Sequence, residues 1–402
     1  MNTQTSKMDH PSMAHRMLPI LNWLPKYERT WLRGDMIAGL TVLALLIPEG
    51  MAYAEIAGMP PQTAFYAAPI GLMMYAIFGT SRQLVVAVSA AIATMSAAAV
   101  APLAAAGSPE YAALTAGLAM LAGLISIVAG LFKLGRIASF FSESVLTGFV
   151  TGLALTIAIK QVPKLFGIEG SSGNFWERLY DILIHLDELH LLTLVIGIIS
   201  IALLFFLEHR FHKLPAALLV MVLGIIVSSL FALEARGVHV VGEIPAGLAP
   251  PKLPGLSLEQ WLLLMAGAFG IALVNFAEAY GPARNFSAKH GYDISADQEM
   301  IGLGAANFGA GLFQGFPIGS SLSKSAANDR AGAKTPVALI VCAGMTILVA
   351  LFFPRSLPPC QKRCWPPWWW WQSPEWLKSN QSAAFTASTI LISPLLSLQC
   401  WG

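Results

Sequence analysis

Charge is what this sequence has least of. Asp, Glu, Lys and Arg make up 11% of its 402 residues against 56% apolar, and the mean hydropathy is +0.64. That balance excludes an ordinary soluble globular protein. A formal net charge of +2 is too small to suggest a nucleic-acid partner. Cysteine is scarce too. The four are Cys342, inside an apolar run, and Cys360, Cys364 and Cys400 near the end, too few and too scattered for a disulfide framework. His209 and His212 are spaced for one helix face, but beside Arg210 and Lys213 they read as a basic loop, so neither a metal nor any other cofactor is expected. Serine, histidine and acid nowhere group as a triad, which argues against an enzyme. A cleavable leader is missing as well: the first 33 residues are polar and broken by Pro11, Pro19 and Pro25, a cytosolic arm.

Long apolar runs are plentiful. Eleven candidate spans fall at about 36–56, 64–79, 84–106, 111–132, 145–162, 190–207, 216–233, 259–280, 299–313, a short one at 319–329, and 335–353. Lipid cannot satisfy exposed backbone amides, so the spans must be helices: an all-α polytopic membrane protein. Arg82, Lys133, Arg136, Arg210, Lys213, Arg284, Lys289, Arg330 and Lys334 fall on alternate connectors, whereas connectors 57–63 and 107–110 carry no Lys or Arg. This asymmetry places the N-terminus in the cytoplasm of a cell (inner) membrane. Segment 174–190 carries aromatic and aliphatic residues at helical spacing between charges, as an interfacial helix does. The domain reading is an arm (1–33), a first repeat (34–233), an extracytoplasmic loop (234–258), a partial second repeat (259–353) and an anomalous tail (354–402).

Some spans are not clean helices. Pro48, before Glu49 and Gly50, favours a break in the first. The third, "VVAVSAAIATMSAAAVA", and the tenth, "GSSLSKSAAN", are light and small, and they enter the membrane from opposite faces. Broken helices at corresponding places in two inverted repeats point to a substrate site at the bilayer midplane. An extended approach through residues 314–318 would reach that depth, Gly319 would let the chain turn, and a half-helix would follow from Ser320. Its first amides lack intrahelical partners and sit at the positive end of the helix dipole, ready for an anion. Ser321 and Ser323 add hydroxyl donors and Lys324 a positive charge, while Ser89 begins the mirror element. A polar re-entrant turn packed for structure alone is the competing reading.

Three stretches carry a family resemblance: "DMIAGLTVLALLIPEGMAYAEIAGMPP" (35–61), "FGTSRQLVV" (78–86) and "ARNFSAKHGYDISADQEMIGLGAANFGAGLFQGFPIGSSLSKSAAN" (283–328). They resemble the sulfate permease family over about residues 30–353. The resemblance implies a seven-plus-seven inverted-repeat transporter fold with core and gate domains, incomplete in this chain, and usually a cytosolic STAS domain. It also implies secondary transport of sulfate, bicarbonate, chloride or a dicarboxylate by symport or exchange, in a homodimer. By position the family's site falls on Glu49, Tyr53, Ser89, Ala90, Glu278, Ser321, Ser323 and Lys324. Departures are Glu49 where glutamine is common, Ala87 and Val88 where Gly-Pro often stands, and Lys324 where arginine often stands. An ionised Glu49 at membrane depth would repel the anion, so proton-coupled uptake with Glu49 protonated is one reading, and a salt bridge to Lys324 or another base is the other. Glu278, flanked by Asn275 and Tyr280, would hold a coupling cation or organise the core, with the structural role preferred.

Other features have plainer readings. Gly302, Gly304, Gly309 and Gly311 suit close helix packing rather than a nucleotide loop, and Phe65, Tyr66 and Tyr75 suit packing or interfacial anchoring. After Phe353 the apolar period vanishes into "PRSLPPCQKRCWPPWWWWQ". Trp is TGG and Pro is CCN, so "WPPWWWWQ" read from the third base encodes Ala, a small residue, Val/Leu/Met, three Val and Ala. The expectation is a reading frame lost near residue 354, with later spans and a STAS domain missing. An anion channel, a non-transporting sensor or an inactive fragment are the alternatives to a transporter.

Overall fold

The computed structural model describes residues 17–135, 143–168, 175–210, 216–231, 240–241, 247–352 and 360–361. The tail from 362 onward, and with it the expectation of a lost reading frame, lies outside the described residues, as do 1–16 of the arm. The structure is a helical bundle, and every expected span contains a helix. In chain order these are α1 (Leu32–Ile56), α2 (Ala64–Phe78), strand β1 (Val86–Ala87), α3 (Ala90–Val100), α4 (Pro109–Leu131), α5 (Glu143–Phe166), α6 (Phe175–Ile184), α7 (Leu191–Arg210), α8 (Ala216–Phe231), α9 (Leu258–His290), α10 (Ala296–Leu312), β2 (Gly319–Ser320), α11 (Leu322–Arg330) and α12 (Val337–Phe352).

By length and composition, three described helices can cross a membrane: Arg29–Ile56, Pro109–Leu131 and Leu258–His290. Two of the expected spans are short because the chain breaks them. α3 and α11 have 11 and 9 residues, about 16 and 14 Å of helix against some 30 Å of hydrocarbon. α6 and the turn after it meet α7 at 117°. Trp176, Tyr180, Leu183 and Ile184 of α6 are exposed, the face of an interfacial helix.

Two sequence expectations are corrected. Pro48 does not break α1, which runs unbroken from Leu32 to Ile56. The proline removes one backbone bond, but Leu45, Leu46, Ile47, Glu49, Gly50 and Met51 around it are all buried, so tertiary packing holds the helical path. α9 does not stop near residue 280 but continues to His290, passing through Pro282. Ser257 and Gln260 form a capping box at its start, and Gly291, at φ 67°, ends it in the left-handed region. Polarity beyond Tyr280 reflects helical turns that outrun the apolar layer, not the end of the helix.

Small residues let the bundle close. A Cβ on Gly123 would stand 2.6 Å from the Gly304 carbonyl oxygen, and one on Gly311 would stand 2.5 Å from that of Ala116. α4 and α10 therefore touch backbone to backbone, as the glycine spacing in α10 suggested.

Asp35, fully buried near the start of α1, accepts from Lys334 N–H (2.7 Å), Thr335 N–H (3.2 Å) and Thr335 Oγ1 (2.7 Å). It thereby ties α1 to the entry of α12, nearly 300 residues away. Asp35→Ala strands these donors, each buried unpaired donor costing about 1–3 kcal/mol. A lower thermal midpoint in detergent is expected, with Asp35→Asn intermediate because it keeps one acceptor oxygen.

Candidate functional site

The site is built on the two broken spans. β1 and β2 pair antiparallel, Val86 with Ser320 and Ala87 with Gly319. Ser321 N–H adds a bond to the Val85 carbonyl (3.0 Å), and Ser325 Oγ accepts from Val85 N–H (2.8 Å). Each strand then turns into a half-helix. Ser89 occupies the N-cap position of α3 at φ −134°, ψ 135°, and Ser321 that of α11 at φ −125°, ψ 110°. The two caps share one extended geometry, and antiparallel pairing sends the helices away in opposite directions from a common origin. Two positive dipole ends therefore share one location.

Gly319 does not turn the chain as the sequence suggested; it lies in the extended strand β2. It is glycine because of what it touches. A Cβ there would meet Ile92 Cγ1 at 2.7 Å and Ser89 Cβ at 3.1 Å. Both belong to the start of α3, so the crossing depends on a missing side chain. The half-helix itself begins at Leu322, two residues later than Ser320.

Donors face this crossing. No side chain caps α3, so the amides of its first turn have no acceptor within the helix. In α11 the Ser321 hydroxyl takes the Lys324 amide at 3.4 Å, and Ser321 Oγ stands 3.1 Å from Ser323 Oγ. Ala90, Ser321, Leu322 and Ser323 remain partly accessible while Ser89 and Lys324 are buried, as expected for residues lining a crevice.

Lys324 forms an ion pair with Glu49 of α1, and both side chains are wholly buried. The Lys324 ammonium also lies 5.6 Å from the centroid of the buried Tyr53 ring, one turn further along α1. Beyond these contacts neither charged group finds another hydrogen-bond partner among the described residues. Of the two sequence readings of Glu49, the salt bridge to Lys324 is the contact present. Glu278 of α9 is half-buried and makes no hydrogen bond or ion pair with another described residue. Its neighbour Asn275 does, donating to the Ile318 carbonyl at 3.0 Å.

Two polar residues of α10 next to this site were not singled out from the sequence. Glu299 accepts from Tyr75 Oη (2.6 Å), Thr80 N–H (2.7 Å), Thr80 Oγ1 (2.6 Å) and Ser81 N–H (3.1 Å). Tyr75 is thus a hydrogen-bonding residue as well as a packing one. Asn307 donates to the Ile318 carbonyl and accepts from Ile318 N–H, both at 2.9 Å. A carboxylate and an amide inside an apolar run were the available signals, but the partners of Glu299, Tyr75 of α2 and Thr80 and Ser81, lie more than 200 residues away, and that of Asn307, Ile318, lies beyond the end of α10.

A sequence profile described as the sulfate permease family matches residues 32–363. A probable sulfate transporter of Mycobacterium tuberculosis is 36% identical over 345 residues, covering 84% of this chain and 62% of that protein. Solute carrier family 26 member 6 of Homo sapiens is 30% identical over 371 residues, covering 86% and 49%. The chain therefore spans less than two thirds of the length of these relatives. Among solved structures, the murine Solute Carrier 26 family member A9 anion transporter in the inward-facing state superposes with a TM-score of 0.82 at 26% identity, over 99% of this chain and 71% of that one. The transmembrane domain of a cyanobacterium bicarbonate transporter shares the fold at a TM-score of 0.78 and 20% identity, over 92% and 97%.

Proposed function

Because the chain belongs to the sulfate permease family, we propose that it is a secondary active transporter that carries a small anion, sulfate first, across the inner membrane by proton symport. The anion sits between the starts of α3 and α11. One observation carries this reading: the β1–β2 pairing sets two helix N-termini side by side, next to a buried lysine. Backbone amides and the Ser321 and Ser323 hydroxyls supply donors, the paired dipoles supply potential, and the absence of bulky side chains lets the backbone itself be the ligand. Such amides also accept bicarbonate or a dicarboxylate, which are the competing substrates. The proposal includes a cytoplasmic N-terminus, from the Lys and Arg asymmetry of the connectors, and a homodimer.

Charge balance gives the coupling. With Glu49 ionised, the Glu49–Lys324 pair is neutral, and a divalent anion arriving beside it leaves a net charge of −2 at membrane depth. A proton on Glu49 lowers this to −1 and releases the Lys324 ammonium to the anion, relieving part of a penalty of several kcal/mol. Movement of the loaded site thus favours a proton with each anion.

Reconstituted in liposomes, the protein should accumulate labelled sulfate faster under an inward proton gradient, and Glu49→Gln should transport without that acceleration. Full gradient dependence in Glu49→Gln defeats the coupling. Flux that only dissipates a sulfate gradient, with no concentrative uptake, defeats the transporter in favour of a channel.

A further inference from the structure

Both extended approaches to the crossing are fastened to one helix. Asn307 of α10 brackets the peptide of Ile318, the residue before β2, bonding its N–H and its carbonyl at 2.9 Å each. Asn275 of α9 donates to the same carbonyl. Further back on α10, Glu299 gathers four donors from Tyr75, Thr80 and Ser81, at the start of the segment that leads into β1. Eight residues separate the two anchors, about 12 Å along a helix. Gly302 lies between them, where a Cβ would meet Gly79 Cα at 2.9 Å and Gly79 N at 3.0 Å, so the first approach lies directly on the α10 backbone. Glu299 and Asn307 are 0% and 2% exposed, which leaves their partners no water as a substitute.

We propose that Glu299 and Asn307 are positioning residues for the anion site: α10 sets the separation and mutual orientation of the two half-helix starts, and through them the anion affinity. Neither residue touches the anion. Without Asn307 the buried Ile318 amide loses its acceptor, β2 must shift to find another, and the pairing with β1 carries the shift to Ser89. Sites of this kind depend on supporting residues holding them to within about 0.5 Å. The affinity part of the inference rests on the anion site proposed above; the distance part does not.

The test uses the whole chain in lipid nanodiscs, with native cysteines replaced by alanine and spin labels at Ala101, just past α3, and Arg330, the end of α11. Electron–electron distances are measured without anion, and sulfate affinity is measured by calorimetry on the monodisperse fraction. Asn307→Leu and Glu299→Leu should shift or broaden the distance distribution and weaken sulfate about tenfold or more. Glu299→Gln keeps an acceptor for Thr80 and Ser81 and should restore the distance and most of the affinity. A wild-type distance in both leucine variants overturns the proposal. So does a wild-type affinity in the monodisperse fraction of either one, the result a merely structural role predicts. If the parent protein shows a sharp distance but binds no sulfate, the anion-site reading fails while the distances still judge the anchors. Should Asn307→Leu yield no monodisperse protein, Asn307→Ala, which removes the acceptor and the donor with a smaller side chain, is judged by the same outcomes.

Discussion

Lys324→Met is expected to abolish sulfate binding and to destabilise the protein by about 3–5 kcal/mol, because it leaves the Glu49 carboxylate buried without its counter-charge. Both side chains of the pair are wholly buried, so water cannot take the place of the lysine. The double variant Glu49→Gln/Lys324→Met should recover most of the stability, since two neutral groups of similar shape replace the pair. It should not recover binding. The contrast separates two roles proposed for Lys324: neutralising Glu49, which the second substitution makes unnecessary, and attracting the anion, which it does not. Thermal midpoints in detergent and calorimetric titration with sulfate give the two readouts. A single variant as stable as the parent would mean that Glu49 is held uncharged in the resting protein, and retained sulfate affinity would remove Lys324 from the site.

Much of the architecture was legible because lipid restricts the choices. A run of some 20 apolar residues can only be a helix there, so run length placed a helix in each expected span, although α9 runs ten residues past the expected end and α3 stops six residues short at each end. The half-helices were legible by contrast. "GSSLSKSAAN" is too polar to face lipid, and "VSAAIATMSAAA" is too light to fill a packed interior. Both stood out from the runs around them, and the structure places Ser89 and Ser321 at the starts of the two half-helices. Glu49 and Lys324 were visible as charges at membrane depth, where a charge needs a reason.

What sequence reasoning missed is long-range and geometric. Pro48 carries a local preference for a break that packing on all sides overrides. Gly319 suggests a turn, yet its conformation is extended and its role is contact with α3, which no local pattern records. Glu299 reads as an ordinary acid in the first turn of a helix, a common and unremarked placement. Only the fold brings it to Tyr75, Thr80 and Ser81. Asp35 is hidden in the same way, since its donors at Lys334 and Thr335 follow the last half-helix. In each case a buried polar group implies that a partner must exist, while only three-dimensional structure says which one.

The crossing of the two strands supplies the second large effect. Gly319→Ala adds one carbon 2.7 Å from Ile92 Cγ1 and 3.1 Å from Ser89 Cβ, well inside contact distance. Ile92 is fully buried and cannot swing away, so the strands must part. Overpacking of this kind costs about 1–3 kcal/mol, and here the strain falls on the alignment of the two helix starts. Sulfate affinity should drop about tenfold or more, beyond what the loss of stability explains. Ile92→Ala removes the obstructing carbon and, made alone, leaves a cavity costing about 2–5 kcal/mol. In Gly319→Ala/Ile92→Ala the new methyl partly fills that space, so the double variant should be more stable than the sum of the single changes allows and should regain affinity. A double-mutant cycle on thermal stability and sulfate binding measures this coupling. Strictly additive losses would show that Gly319 and Ile92 do not meet, and an unchanged affinity in Gly319→Ala would break the link between the crossing and the anion.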